Sequence, residues 1–194
     1  PLLDGTNTLA DWVSKGYISK DSSGLKAEDM GTAFIAGKYP IMVSGSWWFG
    51  RLNKEVTSFK LGQFTFPGNK LNPGSSGNLL VIPKNSKNAA LTAKFIDATL
   101  GKTSQDTMAK LGGLPVAGDS SVITDPNTKT LQDNFDSVVK NDGLAFYPDW
   151  PVAGFYDQLV SFGQTVVNGS KAPADALKDL GTFYDSGRKD LTGK

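Results

Sequence analysis

Short apolar runs alternate with segments of helical spacing along the whole length of this chain, and that alternation limits the folds open to it. Leu9, Trp12 and Val13 are spaced for a helix that Gly16 stops, and a second helix runs from Ala27 to Ala36 and ends at Gly37-Lys38. Tyr39 to Ser44 is apolar and partly β-branched, the pattern of a buried strand, and Gly45 breaks it before Trp47 to Leu52 opens another helix. Phe59 to Phe66 alternates as a strand does, with one slip. Pro67 to Ser76 is a loop, and Leu79 to Ile82 is a short strand closed by Pro83. Beyond a polar turn at Asn85-Ser86-Lys87-Asn88, the helix from Ala89 to Leu100 sets Leu91, Phe95, Ile96 and Leu100 toward one buried face. Thr103 or Ser104 caps the next helix, which ends at Gly112-Gly113.

Helical spacing returns at Leu131, Phe135, Val138 and Val139. It returns again, after an aromatic-rich loop from Asn141 to Pro151, at Phe155, Leu159, Phe162 and Val166, ending at Asn168-Gly169. The last helix runs from Ala172 to Tyr184, with Pro173 in its first turn, where the missing N–H costs nothing. Short strands separated by helices predict an α/β fold.

Such a fold must hold itself together by packing alone. The 194 residues contain no cysteine and no histidine, which removes disulfides, thiolate chemistry, imidazole bases and most zinc or copper sites. No cofactor or metal is expected. Hydrophobic residues at 39% and charged residues at 20% suit a packed core. The 20 Lys and Arg are intermixed with 19 Asp and Glu, so there is no concentrated basic face and nucleic acid is set aside as a partner. No run approaches the roughly 20 apolar residues of a membrane span. The chain opens at Pro1-Leu2-Leu3 without a targeting segment, the form expected of a fragment or processed product.

Two constellations carry binding chemistry. In the first, a helix ends at Gly37, a strand follows, and Gly45-Ser46 delivers Trp47 and Trp48 at the strand end, where α/β folds meet their ligands. An indole there offers a flat face for the C–H side of a sugar ring. Core packing is the competing role, with more claim on Trp48 than on Trp47. In the second, Tyr147-Pro148-Asp149-Trp150-Pro151, with Tyr156 close behind, sets aromatics and one carboxylate in a loop stiffened by proline. Asp149 is placed to accept sugar hydroxyls while Tyr147 or Trp150 stacks; the alternative is a hydrophobic plug with Asp149 as a helix cap. A third signal, Gly74-Ser75-Ser76-Gly77-Asn78, lets a ligand approach the backbone closely at Gly77 and Asn78, although a surface turn is the commoner explanation. It lacks the glycine spacing of a phosphate loop. Asp142, Asp149 and Asp157 are the acids around the aromatic loop, and nothing in the sequence pairs two of them as a glycosidase requires.

The order of these segments resembles the family 1 extracellular solute-binding proteins, the group of the maltose-binding protein. The resemblance lies in Phe34, Gly37-Lys38, Met42 and Gly45-Ser46-Trp47, then in Leu79-Leu80-Val81-Ile82-Pro83-Lys84-Asn85-Ser86. It continues through Ala93-Lys94-Phe95-Ile96, Thr103-Ser104-Gln105 and Gly112-Gly113-Leu114-Pro115-Val116 to Asn168-Gly169-Ser170 with Ala176-Leu177. It implies a periplasmic-binding-protein type II fold whose two lobes close on a carbohydrate by hinge motion. Implied as well are delivery to the membrane subunits of an ABC permease, no enzymatic activity, and an extracytoplasmic location, as a periplasmic protein or a cell-surface lipoprotein. The resemblance places Trp47 at a stacking position, Gly77 and Asn78 beside the cleft, and Trp150 with Tyr156 among the aromatics near the C-terminal helices. Family members are about twice as long, as two lobes of ordinary size require. By analogy, residues 1–82 and 127–194 are two parts of the C-terminal lobe and residues 83–126 belong to the N-terminal lobe, whose remainder is missing. Half a cleft implies weak or absent sugar binding by this chain alone. Two other classes compete: a glycoside-active enzyme built on paired carboxylates, and a stand-alone protein-interaction module using the aromatic loop.

Overall fold

The helices form close to where the apolar spacing and the stop residues place them, except that the last, expected to end at Tyr184, runs on to Thr192. The computed structural model describes residues 2–74, 79–149 and 151–192, with side chains as far as Arg188. The helices are α1 (Leu2–Ser14), α2 (Ala27–Ile35), α3 (Phe49–Glu55), α4 (Ala89–Leu100), α5 (Lys102–Lys110), α6 (Pro126–Lys140), α7 (Phe155–Asn168) and α8 (Pro173–Thr192). Gly37 ends α2 with φ +72°. Its N–H donates to Phe34 O at 2.8 Å and the N–H of Lys38 donates to Ala33 O at 3.0 Å, a Schellman stop that needs a residue at ease with positive φ. Pro126 stands in the first turn of α6, and the Asp125 side chain caps that helix. The N-cap of α5 is Gly101, not Thr103 or Ser104; the Ser104 hydroxyl donates to Ala98 O instead.

The fold is mostly helical with a small parallel sheet, within the α/β class expected. That sheet is not where the apolar runs predict it. It pairs β1 (Asn72–Pro73) with β2 (Leu144–Ala145), two segments read from the sequence as loop, through Asn72 N–H to Gly143 O and Gly74 N–H to Ala145 O. Tyr39 to Ser44, Phe59 to Phe66 and Leu79 to Ile82 form no strand. A strand is held by hydrogen bonds to a neighbour, and none of these runs has a ladder partner among the described residues. Ile41, Val43, Phe64, Leu79 and Val81 accordingly stay exposed.

Helix α4 departs from expectation in the same way. Leu91 and Phe95 are 67% and 70% exposed, and Leu100 is exposed too. At 100° per residue, Leu100 lies half a turn around the helix from Leu91, so these side chains do not share one face. α4 packs on α5, and among the described residues the side bearing Leu91 and Phe95 stays open to solvent.

The chain divides into two compact units. The first comprises Pro1–Ala27 and Tyr147–Lys194; in it α7 packs along α8, α1 packs against both, and the 3₁₀ turn Lys20–Gly24 lies on α7. Its core holds Val152, Phe155, Val166 and Ala176, with the Phe155 ring stacked on Phe183 and edge-on to Tyr184. The second unit is Glu28–Phe146, with a core of Phe34, Trp48 and Leu52 lined by Ile35, Met42, Val56 and Leu61. Phe59 meets Phe34 edge to face at 5.6 Å. In the same unit a polar cluster ties α3 to α6: Asn53 Nδ2 donates to Asp125 Oδ2, and Asn127 Nδ2 donates to Asn53 Oδ1.

Candidate functional site

Two adjacent tryptophans take opposite roles because of the turn that carries them. Ser46–Trp48 is a single 3₁₀ turn leading into α3, with the N–H of Trp48 donating to Gly45 O at 3.1 Å. Successive residues of a 3₁₀ turn project about 120° apart. Trp48 is therefore 7% exposed in the core beside Phe34 and Leu52, while Trp47 is 67% exposed. Packing is the place the structure gives Trp48. A β-carbon on Gly31 would stand 2.2 Å from its Cη2 and Cζ3, so the ring is seated on the backbone of α2. The Arg51 guanidinium covers it at 5.1 Å and pairs with Glu28 and Glu55.

Trp47 stands in the wall of a groove of about 490 Å³ that opens to solvent. Ser46, Trp47 and Gly50 form one side; Ser104, Thr107, Met108 and Leu111 of α5 and its end, with Gly112 and Gly113, form the other. Its lining contains aromatic, thioether and aliphatic surface, three hydroxyls and three glycines, and no ionisable side chain. Gly112 takes φ +90°, and Gly113 lies so close to Met108 that a β-carbon there would meet its Cγ at 2.6 Å. The wall beyond them is fastened from α5. The buried Gln105 side chain donates to Thr99 O at 3.1 Å and accepts from Val116 N–H at 2.7 Å, and Asp106 accepts from Asp119 N–H at 2.8 Å. The ammonium of Lys102 and that backbone N–H hold the Asp106 carboxyl below its usual range. Met108 and Leu111 are not among the residues singled out from the sequence; the signal for them is an apolar pair three residues apart running into Gly112-Gly113.

The second constellation belongs to the other unit. Tyr147 and Tyr156 are exposed, Tyr156 on the first turn of α7 beside the buried Phe155. Asp149 is half-buried, and its Oδ1 is shielded from solvent with no hydrogen-bond partner among the described residues. Gly77, Asn78 and Trp150 lie outside the described residues. Trp47 and Trp48 thus sit in the unit Glu28–Phe146, and Tyr147, Asp149 and Tyr156 in the unit that contains α7 and α8. Among the described residues no group of three or more carboxylates gathers as a metal site, and no helix is long and apolar enough to cross a membrane.

The groove is open, free of ionisable side chains in its lining and walled in part by an aromatic residue, a kind of surface that a small solute can occupy. The family of bacterial extracellular solute-binding proteins matches residues 4–136, well over half of the sequence, and the chain belongs to that family. Its role is extracellular solute binding in partnership with an ABC permease, which places the chain outside the cytoplasm. The match spans the whole groove, whereas Tyr147, Asp149 and Tyr156 fall beyond it. No curated protein matches the chain.

Proposed function

We propose that this chain is the carbohydrate-capturing part of an ABC importer, a binder with no chemistry of its own. The observation that carries the reading is the exposed Trp47 indole in the wall of a groove without charge. Sugar rings present C–H faces that pack on an indole and hydroxyls that bond to small polar groups, and the groove offers both kinds of surface. Amino acids, peptides and phosphate esters carry charges that an ionisable side chain would complement, and this lining has none, which favours a neutral solute. In the lobe assignment suggested by the family resemblance, residues 1–82 and 127–194 are C-terminal-lobe segments and residues 83–126 an N-terminal-lobe segment. The groove takes one wall from Ser46–Gly50 and the other from Ser104–Gly113, one from each class of segment, which supports reading it as part of an interlobe cleft. In the other unit, Tyr147, Asp149 and Tyr156 are kept as proposed ligand-binding residues on the sequence reading, with Asp149 Oδ1 lacking a hydrogen-bond partner among the described residues. Gly77, Asn78 and Trp150 are proposed cleft residues on the family resemblance alone. Trp48 is assigned to packing.

The test is a fluorescence titration of the chain with neutral mono- and disaccharides and, in parallel, with amino acids and sugar phosphates. Saturable quenching by a neutral sugar, weak as half a cleft implies and abolished by Trp47→Ala, supports the reading. Saturation by a charged solute alone would overturn it.

A further inference from the structure

Each of the two adjacent tryptophans rests on a glycine of its own. Trp48 sits on Gly31, inside the core. Trp47 sits on Gly45, two residues before it: a β-carbon at Gly45 would stand 2.0 Å from Trp47 Cζ3, 2.3 Å from Cη2 and 2.5 Å from Cε3. The six-membered ring of the exposed indole fills the space that any other residue would give to its side chain. The backbone at Gly45 does not itself require glycine. With φ −124° and ψ 175° it is extended, a conformation open to every L-residue. What excludes a larger residue there is the indole, and nothing else lies as near.

We infer that Gly45 is the positioning residue of the groove: it leaves the space in which the Trp47 indole is seated and so sets the pose of the proposed stacking surface. A freely turning indole at this exposure would have to be ordered by the ligand at each binding event, whereas a seated one is preorganised. Gly45 thereby acts on affinity through Trp47 without touching the ligand. The inference deepens the proposed sugar-binding function and rests on it for its effect on affinity, although the seating of the indole stands apart from any ligand.

The experiment is a double-mutant cycle of Gly45→Ala and Trp47→Ala in the full chain, with Gly62→Ala, whose β-carbon meets open space, as control. Two readouts separate the two claims. The first is the near-ultraviolet circular dichroism that Trp47 contributes, taken as the spectrum of a chain minus that of its Trp47→Ala partner. Gly45→Ala should erase most of this difference, and Gly62→Ala should leave it intact. A difference signal unchanged by Gly45→Ala would overturn the inference. The second is affinity for the neutral sugar that binds tightest in a panel of maltose, sucrose, glucose and trehalose. Gly45→Ala should weaken it about threefold to tenfold, the range of one aromatic contact, and should have no effect once Trp47 is alanine. Loss in both backgrounds would assign Gly45 a role apart from Trp47 and overturn the inference. Loss of the Trp47 signal with no change in affinity would uphold the seating and overturn stacking on Trp47. Should Gly45→Ala destabilise the chain, melting of the double mutant decides: restored stability places the clash at the indole, and none restored overturns it.

Discussion

Substituting Gly31 by alanine should destabilise the chain although it inserts the best helix former into a helix. Gly31 is buried in the middle of α2, and its new β-carbon would stand 2.2 Å from two atoms of the Trp48 ring and 3.1 Å from a third. The ring cannot yield easily, because Phe34 and Leu52 share its cluster and Arg51 lies over it. Overpacking of this kind costs about 1–3 kcal/mol, and a rigid ring at this distance belongs at the upper end. Replacing glycine in a helix interior returns about 1 kcal/mol. The net loss is then about 2 kcal/mol, or about 4–8 °C in Tm for a chain of this size. Urea unfolding followed at 222 nm measures it, with Gly62→Ala, which meets open space, as the reference. Adding Trp48→Leu to Gly31→Ala should cost less than the sum of the two changes, because the smaller side chain vacates the contested space. A Gly31→Ala chain as stable as the parent would refute the seating of Trp48 on α2.

Other substitutions test other parts of the account. Asp125 accepts from the backbone N–H of Thr128, its hydroxyl and the Asn53 amide, and the first of these bonds does most to hold its carboxyl below the usual range. Its contribution is present above the ordinary carboxylate pKa of about 4 and is lost as pH falls through the depressed folded value. Asp125→Ala should therefore cost about 0.5–2 kcal/mol at pH 7, as lost helix caps do, with the gap to the parent closing in acid. A gap constant from pH 7 to pH 3 would contradict this. Leu91→Lys with Phe95→Lys on α4 should change stability by less than about 0.5 kcal/mol each, since both side chains are already exposed. A loss above about 2 kcal/mol in urea unfolding would mean that something covers this face.

Helices were legible in the sequence because a helix satisfies its own backbone within one segment, so spacing and stop residues suffice to find it. Gly37, Gly169 and Pro173 marked ends that the structure places within a residue or two. Strands were not legible, because a strand is a property of two segments. Tyr39–Ser44 and Leu79–Ile82 have the composition but no ladder partner among the described residues, while Asn72–Pro73 has a partner in Leu144–Ala145 that no local pattern announces. At the groove, Gly45-Ser46-Trp47 was readable as a turn that carries an exposed aromatic. The division of labour between Trp47 and Trp48 was not, since it depends on a 3₁₀ step of about 120° that composition does not encode. Met108 and Leu111 were hidden because no local pattern shows that the end of α5 comes to lie across from Ser46–Gly50.

The central claim is that Trp47 presents its indole to a neutral sugar, and the indole N–H signals in a two-dimensional ¹H–¹⁵N spectrum test it most directly, even for weak binding. The Trp47 signal is assigned by its disappearance in Trp47→Phe, and the chain is titrated with neutral mono- and disaccharides. The account predicts a saturable shift of the Trp47 signal by at least one sugar while that of the buried Trp48 holds still. A Trp47 signal unmoved by every sugar, or one that moves only together with Trp48, would contradict it.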